Sequence, residues 1–167
     1  MPNWTTNQLI IEGTGEKIRE LLALIKGDDE VIDFHKIIPM PDILKNTVSG
    51  SCTIDGRQVT SWYEDNSIAD WNERDKTKRL FTDEEKAGLK KIGCDNWYDW
   101  CCNHWGTKWN ACHSAIENEY EGFIEIRFDT AWCPPGPIVE ALREMFPELE
   151  IELRYRLEDD PEFPHSL

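Results

Sequence analysis

Six cysteines and four histidines give this chain the side chains for thiolate or imidazole chemistry. Most of them crowd into one stretch: Cys94, Cys101, Cys102, His104, Cys112 and His113. Such groups can hold zinc, or pair as nucleophile and base. Their spacing argues against a closed zinc shell. Structural zinc sites present ligand pairs about two to four residues apart on a knuckle. Cys101 and Cys102 are adjacent, and on a helix they point about 100° apart. Cys102 and His104 are equally ill matched. No glycine-rich oxyanion turn accompanies the cluster, so a Cys/His enzyme is an alternative without a supporting motif. The thiols read as buried packing groups, and the sequence calls for no metal, no cofactor and no catalytic residue.

Tryptophan is the second chemical resource, with eight in the chain. On a helix from Asn96 to Trp105, Trp97 and Trp105 are offset by about 80°, too far for Trp97, Trp100 and Trp105 to share one narrow stripe. Some of these rings are therefore expected to line a groove. The candidates are Trp97, Asp99, His104, Trp105, Lys108, Trp109, His113, Asp129 and Trp132. A groove of rings with a few polar groups suits a small ligand or a single nucleic-acid strand. The segment Glu121-Gly122-Phe123-Ile124-Glu125-Ile126-Arg127-Phe128 overlaps the aromatic strand motif of RNA-recognition domains. Glu121 stands where that motif is basic, and Glu125 where a second base would stack. Both carboxylates repel phosphate, so the stretch reads as a strand with Ile124, Ile126 and Phe128 inward.

Charge narrows the partners. The 167 residues carry 33 acidic against 18 basic side chains, a formal charge of −15. Duplex nucleic acid and anionic membranes lose the counterion-release and surface-potential terms that attract basic proteins. A basic protein faces the opposite balance. No segment approaches the roughly 20 apolar residues of a membrane span, and the start of the chain lacks the pattern of a signal peptide. The sequence thus points to a cytoplasmic protein.

The elements that must position these groups follow from periodicity. Asn7 to Glu12 reads as a first strand. Thr14 caps a helix carrying Ile18, Leu21, Leu22 and Ile25, and Gly27 stops it. Lys108 to Glu117 and Gly122 to Thr130 read as strands joined through Asn118-Glu119-Tyr120-Glu121. Pro137 opens a helix with Ile138, Ala141, Leu142 and Met145 on one face. Leu149, Ile151, Leu153 and Tyr155 then alternate with charged residues, as in a strand with one buried face. The order is βα, a long middle segment, then ββαβ: an α+β, ferredoxin-like βαββαβ sandwich, an antiparallel sheet with two helices. Its core spans 1–29 and 107–157, and a mostly helical insertion spans 30–106 with a capping box at Thr82 and Glu85. The tail, 158–167, is expected to fray.

Four words of the sequence carry a resemblance: Pro2-Asn3-Trp4, Phe34 to Pro41, Trp97 to Ala111 and Phe128 to Pro135. The chain resembles the YubB-like family of phage- and plasmid-encoded proteins with a ferredoxin-like domain. The resemblance implies a ferredoxin-like fold and a mobile-element origin. Together with the acidity it points to a non-enzymatic accessory protein that binds a basic host protein, as a counter-defence inhibitor or nucleic-acid mimic would.

Overall fold

From Trp4 to Ile11 the residues alternate between half-exposed and buried, the period of a strand with one face in a core. The computed structural model describes residues 3–159 and 165–167. In chain order its elements are β1 (Trp4–Glu12), α1 (Gly15–Ile25), α2 (Phe34–Ile37), a 3-10 turn (Asp42–Leu44), β2 (Thr47–Ile54), β3 (Arg57–Tyr63), α3 (Trp71–Asp75), α4 (Asp83–Ile92), α5 (Trp97–Trp105), β4 (Cys112–Tyr120), β5 (Phe123–Ala131), α6 (Gly136–Met145), β6 (Glu150–Leu157) and β7 (His165–Ser166). They divide into two units, one of Met1–Pro39 with Asn103–Leu167, the other of Met40–Cys102.

The first unit is built around β1. It pairs antiparallel with β5 on one side and β6 on the other, giving the sheet order β4-β5-β1-β6-β7. Leu9 stands opposite Ile126 and Leu153, and Ile11 opposite Ile124 and Ile151, so three strands contribute to one apolar layer. All six side chains are buried. Two amphipathic helices supply the rest of the core, α1 through Ile18, Leu21 and Ile25, and α6 through Ile138, Val139 and Leu142. Burying each of these aliphatic side chains contributes about 1.5–3 kcal/mol. The βαββαβ order with this strand arrangement is ferredoxin-like, and the α+β class read from the sequence holds. No helix of the described residues is long and apolar enough to cross a membrane.

Several boundaries differ from the sequence reading. β1 begins at Trp4, not Asn7, because Thr5 and Asn7 are buried strand residues despite their polarity. β4 and β5 meet at the two-residue turn Glu121-Gly122, and Asn118 to Tyr120 belong to the strand instead of a loop. Gly122 makes the tight turn possible: its φ is +79°, and a Cβ there would lie 2.9 Å from the Gly13 carbonyl oxygen. In place of fraying at the tail's end, His165 and Ser166 pair with Tyr155 and Arg154, and the Leu167 N–H donates to the Leu153 carbonyl at 2.9 Å. Residues 160–164 of the tail lie outside the described residues.

The second unit contains a hairpin that periodicity did not reveal. β2 and β3 join through Asp55-Gly56, whose φ values of +49° and +74° suit the mirror-image turn that matches strand twist. Asn96 opens α5: its Oδ1 accepts the Asp99 N–H at 2.9 Å, and its amide donates to the Asp99 carboxylate at 2.8 Å. Leu44, Ile54, Trp62, Leu89, Trp100 and Cys101 are the buried apolar residues of this unit. Thr82 and Glu85 form the expected capping box on α4. Glu85 also receives two Arg79 hydrogen bonds, each 2.8 Å, which hold its carboxyl down to about 2.

Two outcomes follow. Trp100 is 4% exposed, so Trp100→Ala should cost on the order of 3–5 kcal/mol in denaturant melts; a loss below about 1 kcal/mol, typical of surface changes, would contradict its burial. The Glu85 carboxyl is depressed from 4.5. Its stabilisation is therefore complete above about pH 4.5 and disappears as pH falls toward 2. Glu85→Gln should be less stable than the parent at neutral pH and equal to it near pH 2, as read by melts across that range.

Candidate functional site

Backbone strain marks one corner of the ferredoxin-like unit. Among the described residues three that are not glycine have positive φ: Asp55 in the β2–β3 turn, His113 at +54° and Trp132 at +72°. For a bulky ring such as Trp132 this conformation is a genuine outlier, costing about 1–2 kcal/mol. It persists because hydrogen bonds over-determine the turn. The Trp132 N–H donates to the Asn3 carbonyl at 2.9 Å, Thr107 Oγ1 to the Ala131 carbonyl at 2.9 Å, and Thr130 Oγ1 to the Cys133 carbonyl at 2.8 Å. Asn7, fully buried, donates its amide to Thr130 Oγ1 at 2.9 Å and to the Thr5 carbonyl at 3.0 Å. At His113 the clamp is Glu30, whose carboxylate accepts the His113 N–H at 3.1 Å and the Ser114 N–H at 2.6 Å, and also bonds the Ser114 hydroxyl. Burial pushes the Glu30 carboxyl up, but these donors outweigh it and hold it below the ordinary range.

The two strained residues flank Trp4. The His113 ring meets Trp4 edge-on with centroids 5.8 Å apart, and Trp109 lies 6.2 Å from Trp4. Lys108 sits between two indoles, its Nζ 4.0 Å from the centroid of Trp109 and 3.8 Å from that of Trp132. Both contacts are cation–π in geometry. Trp109 and Trp132 are 38% and 46% exposed, so these rings face solvent while holding a cation. Asp129 Oδ2 lies 3.2 Å from His113 Nδ1, and its buried Oδ1 has no hydrogen-bond partner among the described residues.

The structure therefore brings together Lys108, Trp109, His113, Asp129 and Trp132 of the expected groove. It adds Trp4, which the sequence did not single out. Register supplies the reason: Trp4 stands opposite Ala131, next to Trp132 in the chain, once β1 is known to begin early. The other candidates go elsewhere. Trp105 is 2% exposed and belongs to the core, packed edge-on against Phe34 and His35 with its indole N–H donating to the Ile38 carbonyl at 2.9 Å. His104 is half-buried on the last turn of α5. Trp97 and Asp99 lie in the second unit, where Trp97 is half-buried with its N–H on Thr47 Oγ1 and Asp99 helps cap α5.

Of the six thiols only Cys101 is buried, Cys133 is exposed and the others are half-buried, so the expectation of buried packing groups holds for Cys101 alone, and two of the thiols are set against attack. Burial pushes the Cys101 thiol up to about 12, and burial with the neighbouring Glu30 and Asp129 carboxylates raises Cys112. A nucleophilic cysteine needs the opposite shift. Among the described residues no group of three or more His, Cys, Asp or Glu side chains could hold a metal ion.

A second aromatic group lies at the far end of the same sheet face. Tyr120 and Phe123 close the β4–β5 hairpin with rings stacked at 4.5 Å and 4°. Tyr120 is 64% exposed. Carboxylates lie beside the pair: Glu12 stands opposite Phe123 in register, Glu150 opposite Glu12, and Glu121 follows Tyr120 in the turn. As the sequence reading required, Ile124, Ile126 and Phe128 are buried. Phe123, Glu125, Arg127 and Asp129 occupy the alternate positions and so face outward.

The strain at Trp132 is open to measurement. Both Trp132→Ala and Trp132→Gly remove the ring, but only glycine adopts positive φ freely. Trp132→Gly should be the more stable of the two by about 1–2 kcal/mol. Equal melts would show that the backbone relaxes without cost.

Comparison with known families agrees with the fold. The family described as "Ferredoxin-like domain in Api92-like protein" matches residues 104–160, the stretch that holds β4, β5, α6 and β6. No curated protein and no solved structure matches the chain.

Proposed function

We propose that this chain is a non-enzymatic accessory protein of a phage or plasmid that captures a basic protein of the host. One observation carries the reading: a single sheet face holds exposed rings at both ends, each set among carboxylates. Trp4, Trp109 and Trp132 lie at one end near Asp129, with Tyr120 and Phe123 at the other near Glu12, Glu121 and Glu150. Exposed aromatic residues are the usual anchors of protein interfaces. Their acidic surroundings favour lysine and arginine on the partner, through charge and through the ring faces together.

Three cations of the face are already engaged. Arg154 bonds Glu152 at 2.9 and 3.0 Å, Arg127 lies 3.6 Å from Glu117, and Lys108 is held by its two indoles. A nucleic-acid strand would meet Glu125 and Glu152 between the two aromatic ends, losing the counterion-release term that dominates such binding. One stacked base contributes only about 1–3 kcal/mol, well short of the roughly 8 kcal/mol of micromolar affinity. The YubB-like words of the sequence supply the mobile-element setting, and the acidity fits an inhibitor that occupies a basic surface.

The test is affinity capture from host lysate with the full chain and with Tyr120→Ala, at low and at physiological salt. Basic proteins should be retained by the parent, released as salt rises, and lost or weakened at least about tenfold in the variant. Saturable submicromolar binding of random oligonucleotides, or capture insensitive to both salt and Tyr120, would overturn the reading.

A further inference from the structure

Beside the strained tryptophan lies a cavity of about 400 Å³, bounded by Trp4, Thr5, Trp132, Leu157, Glu158 and Asp159. We propose that this cavity seats an organic cation: a guanidinium or alkylated ammonium group, carried by a partner's side chain or by a free amine. The inference rests on the reading of a basic partner and gives one of its cationic groups a specific seat.

Four features of the cavity select that chemistry. Its walls include two indoles, whose electron-rich faces attract cations. Trp132 already demonstrates the affinity within the molecule, since Lys108 Nζ lies 3.8 Å from its centroid. Two carboxylates stand at the rim, each fixed through one oxygen: Glu158 Oε2 accepts the Trp4 N–H at 2.9 Å, and Asp159 Oδ2 accepts the Asn3 amide at 2.8 Å. Their second oxygens have no hydrogen-bond partner among the described residues and can accept from N–H donors. Thr5 Oγ1 is likewise unpartnered among the described residues, on a side chain buried completely in the lining.

Size and charge exclude the alternatives. The volume falls within the range of small-ligand sites, about 300–1,000 Å³. Leu157 and the indole rings suit methyl or methylene groups next to the charge. An anion would be placed against Glu158 and Asp159 in a chain of formal charge −15. A neutral aromatic ligand would leave both carboxylates without a counter-charge. The Trp132 backbone points the same way, because strained residues held by a hydrogen-bond network concentrate where a site needs a pre-set geometry.

Calorimetric titration of the full chain with agmatine, choline and an arginine-containing tripeptide tests the proposal. Each cation should bind saturably, and a neutral or anionic analogue of the same size should not. Trp132→Ala, and separately Glu158→Gln with Asp159→Asn, should weaken binding at least about tenfold. The paired amide variant alters only exposed side chains and keeps the test independent of folding at Trp132. Trp71→Ala, an exposed indole of the other unit, should bind like the parent. A peptide that binds about tenfold or more tightly than agmatine identifies a partner's side chain as the occupant; equal affinity identifies a free amine. Absence of saturable binding by all three cations, or unchanged binding in both cavity variants, overturns the inference. That failure is distinct from failure of the partner reading, since capture sensitive to Tyr120 would survive it.

Discussion

A single buried amide organises the corner of this protein where the aromatic rings gather. Asn7 sits on the central strand with none of its surface exposed, and its Nδ2 reaches the Thr5 carbonyl, the Phe128 carbonyl and Thr130 Oγ1 at 3.0, 3.3 and 2.9 Å. A buried donor costs free energy unless it is bonded, so the Nδ2 group fixes the register of β1 against β5 at that point, while the Oδ1 of the same amide is buried with no partner among the described residues. Thr130 passes the constraint on through its bond to the Cys133 carbonyl, which closes the turn carrying Trp132. The apolar layer of Leu9, Ile11, Ile124 and Ile126 would hold the two strands together in any case. Where Trp132 ends up is decided by the polar bonds.

The same logic accounts for the other strained residue. His113 opens the first strand of the β4–β5 hairpin, and β4 slips register against β5 between Cys112 and Ala115. Such bulges re-aim side chains at sheet edges. Here the irregular backbone is held by Glu30, which lies in the loop after α1, and the His113 ring is turned toward Trp4 and Asp129. Two separate clamps, one on each side of Trp4, therefore direct aromatic side chains to one corner. Regular strands at both places would have left those rings spread along the sheet.

The fold was legible because its signals are local. Alternation in Ile151-Glu152-Leu153, the cap at Thr14 and the box at Thr82 and Glu85 each depend on neighbours within a few residues, and each held. What escaped was long-range or polar. Thr5 and Asn7 look like loop residues to any apolar pattern, so β1 was read short and Trp4 was left off the face. Asp55-Gly56 carried a turn signal, yet the flanking strands Thr47–Ile54 and Arg57–Tyr63 are too exposed and polar to alternate cleanly. For the groove, helical phase separated Trp97 from Trp105 but could not say which ring would be buried. That answer came from Phe34, His35 and the Ile38 carbonyl, all distant in sequence.

Charge links the corner to the stability of the whole chain. A formal charge of −15 means that the folded state carries self-repulsion, which compaction increases. Many of the cations relieve only their immediate surroundings: Lys17 bonds Glu20 and Glu148, Lys76 bonds Glu73, and Arg79 bonds Glu85. Carboxylates such as Glu12, Glu121, Glu150, Glu158 and Asp159 have no cation within ion-pair distance among the described residues. On the proposed reading a basic partner docking over them would lower that repulsion, since anything that binds the folded state alone raises its stability. The proposed interaction surface and the electrostatic strain of the fold would thus be one feature, with the ferredoxin-like core supplying the stability that lets a surface of like charges stay together.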